Sequence, residues 1–269
     1  MNRNMEMPDR HFEGLGKCIF CLQTGKQLTR EHIVPYGLSG RGEMFVKKGS
    51  CVECNSHMNQ AFENPAMQND LRDARAVLTL KRRKRKGQEP LLPHPVEVEG
   101  RNGERRIVSL PASMHPGLVS FLVTPPAGLL VGKERSGELE VVRTYDVQLT
   151  PDRAMFSMAM LTPKISGAVP QMIIKAAYAF AVVERGLDGF DGTEVRDLLC
   201  GRRGDIYNFI GEALEGEQPL NFEGDLHHFY LRERGPFLVV TVHLFASFGA
   251  PAWDVVVGRL PAHQVDLPE

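Results

Sequence analysis

Two Cys-x-x-Cys pairs, Cys18/Cys21 and Cys51/Cys54, constrain this chain more than any other feature. Four thiolates in two such pairs can close a tetrahedron around one zinc ion. The stretch between the pairs, residues 22–50, is longer than a plain zinc ribbon needs. Metal closure of that loop would hold a module with too little core to fold alone. The loop carries Glu31-His32-Ile33-Val34-Pro35, and Asn55 directly follows the last cysteine. One metal site thus frames a carboxylate, an imidazole and an amide.

The chain has 269 residues, 42% hydrophobic and 24% charged, as expected of a globular protein. It has no apolar run of membrane-spanning length. The stretch from Met1 to Glu6 lacks the apolar core of a signal peptide. A cytoplasmic location with no membrane contact is therefore expected. In that compartment paired cysteines read as a metal site, not as disulfides. Cys200 stands apart and reads as a buried apolar thiol. Charge is unevenly spread. Residues 1–90 hold 16 Lys/Arg against 10 Asp/Glu, a net +6, and the remainder holds 16 against 23, a net −7. A basic module suits a polyanion.

The pattern divides the chain at a Pro-containing linker, residues 88–93. Residues 1–87 are expected to hold the zinc module and a basic helix, and residues 94–269 an α+β domain with a mainly antiparallel sheet. In the first part, residues 1–16 read as a loose lead-in. Leu28–Val34 and Met44–Val46 read as strands, and a helix from about Cys54 carries Met58 and Phe62. Asn64-Pro65 reads as a helix restart, with Asn as cap and Pro at the first position. That second helix is expected to run into the six cations Lys81, Arg82, Arg83, Lys84, Arg85 and Lys86. In the second part, residues 96–99 and 105–110 flank an Asn102-Gly103 turn and predict a hairpin. Strands are expected at 119–123, 129–131, 139–142, 237–245 and 253–257. Helices are expected at 169–185, 193–200 and 205–214. Trp253 and Phe245 read as core, and His227, His228 and His243 as ordinary strand residues.

The series Cys18-x-x-Cys21, Glu31-His32-Ile33-x-Pro35, Gly40, Cys51-x-x-Cys54-Asn55 resembles the HNH endonuclease family and its ββα-metal fold, over residues 17 to about 63. The resemblance implies a metal-dependent endonuclease that hydrolyses phosphodiester bonds in DNA. It implies His32 as general base, with an unperturbed pKa near 6.5. It also implies Glu31, where the family often has Asp, and Asn55 as holders of a catalytic Mg2+ or Mn2+. His57, three residues after Cys54, is a further candidate for that ion. Zinc on Cys18, Cys21, Cys51 and Cys54 would be structural. Arg30 and residues 81–86 are the expected DNA contacts, with salt-sensitive affinity. Double-strand cuts would call for a homodimer. The rival reading is a non-catalytic zinc-knuckle module that binds nucleic acid or protein.

Adjacent side chains on a strand leave opposite faces. Glu31 and His32 would therefore serve one site only if the strand bends or ends there.

Overall fold

The computed structural model describes residues 6–80, 96–100, 102–114, 117–135, 143–149, 158–160, 167–214 and 225–261. The run Lys81–Lys86, the predicted linker at 88–93 and the predicted strand at 139–142 lie outside these residues.

The first part contains the expected β-β-α order and one strand more. β1 (Arg10–Phe12) lies parallel to β3 (Met44–Cys51), and β2 (Leu28–His32) pairs antiparallel to β3 on its other side. The lead-in is thus partly an edge strand. Its three residues carry no alternation long enough to show in the sequence. Glycines permit two close approaches here. A Cβ at Gly14 would lie 2.2 Å from the Lys47 carbonyl oxygen, and one at Gly49 would lie 2.8 Å from the Glu31 Cβ.

α1 (Val52–Met58) begins on Cys51, whose Sγ accepts from the Cys54 amide at 3.4 Å. One cysteine therefore serves as cluster member and N-cap. The expected restart at Asn64-Pro65 does not occur. Asn64 is helical (φ −62°, ψ −45°), and the helical path continues through two π-type segments, Asn59–Glu63 and Ala66–Asp70, into α2 (Arg72–Val77). Proline has no N–H to donate and its ring crowds the preceding turn, so a wide π turn accommodates it without a break. α2 ends at Val77, and Thr79 takes a left-handed φ of 51°. The helix therefore stops short of the basic run.

Beyond residue 95 come the hairpin β4 (Val96–Glu99) and β5 (Arg105–Val108), then β6 (Leu118–Val123) and α3 (Gly128–Val131). β7 (Arg143–Gln148) pairs with β6, and β8 (Met158–Met160) pairs with β4. The segment 129–131 is helical, not a strand. Gly132 caps it with φ 64°, donating to the Gly128 carbonyl, a left-handed helix ending that glycine makes easy.

α4 (Ala168–Arg185) and α5 (Thr193–Leu199) lie close to where the sequence puts them. The predicted helix at 205–214 is instead a 3-10 turn, Ile206–Asn208, followed by β9 (Ile210–Glu212). A Cβ at Gly211 would lie 2.2 Å from the Pro125 carbonyl oxygen, so β9 fits only with glycine there. β10 (His227–Arg234), β11 (Phe237–Leu244) and β12 (Trp253–Arg259) complete an antiparallel sheet of order β10-β11-β12-β9. The whole is α+β, and its described strands pair antiparallel except for β1 with β3.

α4 positions the site. It is apolar nearly all round, as a helix buried on several sides must be, and residues Met172–Val182 are all buried. It packs on β11 and β12 and on the π segment Asn59–Glu63. The Tyr178 hydroxyl donates to the Ile19 carbonyl at 2.9 Å, inside the first cysteine knuckle. Arg10 of β1 meets Glu184 at 2.6 Å. One apolar core runs from Ile19 and Phe20 through Tyr178 to Val240 and Val255. Trp253 and Phe245 are buried in it, each beside Phe121.

Candidate active site

The cysteine cluster forms at the junction of the first turn, the end of β3 and the start of α1. Cys18 and Cys51 are buried, and Cys21 and Cys54 are half-buried. Their four Sγ atoms lie within 4.8 Å of one another, with Cys21 and Cys51 3.8 Å apart. Among the described residues no other group of three or more His, Cys, Asp or Glu side chains comes together as a metal site. The interaction with Cys54 holds the Cys18 thiol down to about 4, so a thiolate forms readily. Burial pushes Cys51 up to about 11, and Cys18 pushes Cys54 up as well, so one thiolate is shared among neighbouring thiols; four converging sulfurs fit a tetrahedral zinc. Cys200, expected as an isolated buried thiol, is half-buried at the end of α5 and its thiol contacts Cys54. α5 thus packs against the cluster.

Glu31 and His32 leave opposite faces of β2. Strand alternation holds despite a register shift between Thr29 and Glu31. Glu31 points inward and is 1% exposed. Its Oε2 accepts from the Asn55 amide at 3.4 Å, and the same amide donates to Ser50 Oγ at 3.4 Å. Glu31 and Asn55 are therefore neighbours, as the sequence reading requires. The other Glu31 oxygen, Oε1, is in close ion contact with the Lys175 ammonium of α4. Lys175 Nζ also donates to Glu63 Oε1 at 2.8 Å and to the His32 main-chain oxygen at 2.6 Å. Burial opposes the charge on Lys175, but the carboxylates of Glu31 and Glu63 outweigh it and raise its pKa. The ammonium is charged at any physiological pH.

This arrangement bears directly on the divalent ion. A second cation cannot sit on Glu31 while an ammonium touches it, because like charges a few ångströms apart in a poorly solvated pocket repel strongly. With Lys175 in place, Glu31 and Asn55 do not fit Mg2+ or Mn2+. His57 is exposed on α1 and its ring lies beside Gly201.

His32 points to the outer face, where Arg30 also lies. Its ring is 5.9 Å from that of Phe45 and 5.8 Å from that of Tyr36. Nε2 is out of contact with solvent, makes no hydrogen bond and lies 3.6 Å from Glu43 Oε2. That leaves Nδ1 as the outward nitrogen. Burial, then the positive charge of Lys175, lower the His32 pKa, so the ring is a neutral base at neutral pH. Arg30 is more than half exposed, stacks on the Phe45 ring at 4.1 Å and meets Glu43 at 3.4 Å. Edge strand β1 fixes Glu43 in turn. The Glu43 amide donates to Asp9 Oδ1 at 2.9 Å, and its carbonyl accepts from the Arg10 amide at 2.9 Å.

The sequence reading missed Lys175, Glu63 and Glu43. The signal for Lys175 was present: a lone ammonium inside Met172–Val182, where every neighbour is apolar, demands a buried counter-charge. Glu63 had no signal, since its reach depends on the π turns. Of the histidines read as ordinary strand residues, His227 is buried with both ring nitrogens engaged. Nε2 donates to the Leu38 carbonyl at 2.9 Å and Nδ1 accepts from the Phe245 amide at 3.1 Å.

No curated protein and no solved structure matches the chain. Residues 18–71 match the family model described as HNH endonuclease. That span holds the strand–strand–helix order, the four-cysteine cluster and the Glu31-His32 strand, so the similarity to HNH endonucleases falls on the part of the chain that builds the candidate site.

Proposed function

We propose that this part of the chain hydrolyses phosphodiester bonds of DNA, with His32 as the general base. The observation that carries the reading is the setting of the His32 ring: Nε2 turned to the Glu43 carboxylate and Nδ1 outward on the face that bears Arg30. A carboxylate behind an imidazole favours the tautomer with the proton on the inner nitrogen, leaving a lone pair on the outer one. Nδ1 then takes a proton from water as the water oxygen attacks phosphorus. The bond from phosphorus to the leaving sugar oxygen breaks, and that oxygen takes a proton from solvent while the proton on Nδ1 returns to solvent. Arg30, exposed beside the ring, offers its charge to the phosphate. A divalent ion, when bound, would neutralise charge on the phosphate, and Glu31 and Asn55 are the proposed holders once Glu31 is free. The run Lys81–Lys86 extends the basic footprint, and a second copy of the chain would supply the second cut.

The test is plasmid nicking by the zinc-loaded chain and by His32→Ala. Loss of nicking by about 10²–10⁴-fold, with zinc content and melting unchanged, is the expected result. A variant that nicks like its parent removes His32 from the role. A parent that binds DNA but never cuts it, with Mg2+ or Mn2+ present, leaves a zinc-knuckle binding module instead.

A further inference from the structure

The pocket around Lys175 has the make-up of a cation site. Its Nζ meets three oxygens from two elements: the Glu31 carboxylate and the His32 main-chain oxygen of β2, and the Glu63 carboxylate of the π segment. Asn55 closes the group from α1, with its amide on Glu31. Carboxylate and carbonyl oxygens are donors a hard divalent ion prefers, and the Asn55 amide, whose nitrogen faces Glu31, would offer its oxygen after a half-turn. Two carboxylates share a single ammonium, and burial raises the pKa of Glu31, so the pocket is short of positive charge whenever both carboxylates are ionised. A divalent ion would balance both. Glu31 and Lys175 are sealed, at 1% and 3% side-chain exposure, whereas Glu63 is 17% exposed. The way in from solvent therefore runs past Glu63.

We propose that Lys175 is a resident stand-in for a divalent cation, and that such an ion reaches Glu31, Glu63 and Asn55 only by expelling the Lys175 ammonium. α4 then acts as a gate: its side chain holds the site shut in the absence of the ion and must withdraw for the ion to enter. Glu63 becomes a ligand that the two cysteine knuckles and the Glu-His pair do not announce. The inference rests on the HNH reading of Glu31 and Asn55 as the cation side of the site.

Mn2+ binding to the zinc-loaded full chain tests it, followed by the electron paramagnetic resonance of free Mn2+. Lys175→Met is expected to bind Mn2+ at least tenfold more tightly than the parent, and its melting temperature is expected to rise with Mn2+. Adding Glu31→Gln to that variant should abolish the gain. Equal affinity in parent and Lys175→Met, or a gain that survives Glu31→Gln, overturns the proposal. If Lys175→Met fails to retain its zinc, the unaltered chain decides. Its Lys175 should resist an amine-reactive label and become reactive as Mn2+ is added. A labelling rate that Mn2+ does not change overturns the proposal. Lys175→Met that binds Mn2+ tightly and leaves plasmid intact refutes the nuclease reading and keeps the displacement.

Discussion

Two regions of one small module gather ligands for a cation, and they fill the need differently. The cysteine cluster presents four converging thiols. It fits an ion taken from outside. The Glu31–Glu63 pocket presents two carboxylates and receives a cation from the chain itself, Lys175. The first region is built from residues close to two short motifs and is visible in the sequence. The second is completed by a residue from α4, distant in sequence. Metal ligation is written locally, whereas internal neutralisation is a tertiary event.

The hardest blow to this pairing is at the cysteines. Cys51→Ala removes a cluster thiol and the N-cap of α1 together. It should unfold the module, since structural zinc contributes on the order of 10 kcal/mol to domains of this size. Zinc stoichiometry near zero and rapid proteolysis within residues 17–63 would show it. A variant that keeps both its zinc and its resistance to proteolysis would mean that α4 packing alone holds the fold. Lys175→Ala is next. Leaving Glu31 buried without its partner should cost about 3–5 kcal/mol, measured by urea unfolding at neutral pH. A loss near zero would place the two groups in solvent contact and remove the contrast between the regions.

Acid probes a third buried polar group, which is neutral. Burial pushes His227 down to about 4 from 6.5. The unfolded chain takes up a proton below pH 6.5 that the folded chain refuses. The stability is intact above pH 6.5 and falls progressively as pH drops toward 4, by about 3 kcal/mol at the end of that window. His227→Gln, which can still donate to the Leu38 carbonyl, should flatten the profile between pH 6.5 and 4. An unchanged slope would assign the acid sensitivity to other groups. The smallest effect is expected at the surface. Glu184→Gln breaks the Arg10–Glu184 pair that ties β1 to α4, and a half-exposed pair contributes within about 1 kcal/mol. A larger loss would mean that β1, and Glu43 with it, depends on that tie.

Much of this was legible where local chemistry decides the structure. The cysteine spacing, the Leu28–His32 strand, the hairpin around Asn102-Gly103 and the apolar α4 each carry their own pattern. The errors fall where a neighbour decides. Leu129-Leu130-Val131 has strand composition, but Gly132 ends a helical turn there. Gly211 enters a strand because the Pro125 backbone leaves no room for a side chain. Asn64-Pro65 has the composition of a cap and is traversed instead, since π turns absorb the proline. At the site, the resemblance singles out His32, Glu31 and Asn55, and the opposed directions of Glu31 and His32 followed from strand alternation. That His32 would turn its inner nitrogen to Glu43 was not readable, because β1 sets Glu43 in place.

The unbroken helical path from Val52 to Asp70 has a mechanical consequence. Cys54, Asn55 and Glu63 ride on one stretch of backbone, anchored at its head by the cysteines. A strain at the cluster is then felt within three turns at the carboxylate that grips Lys175. Loss of the head anchor should slacken the hold on α4 as well, so the two cation sites answer to the same lever.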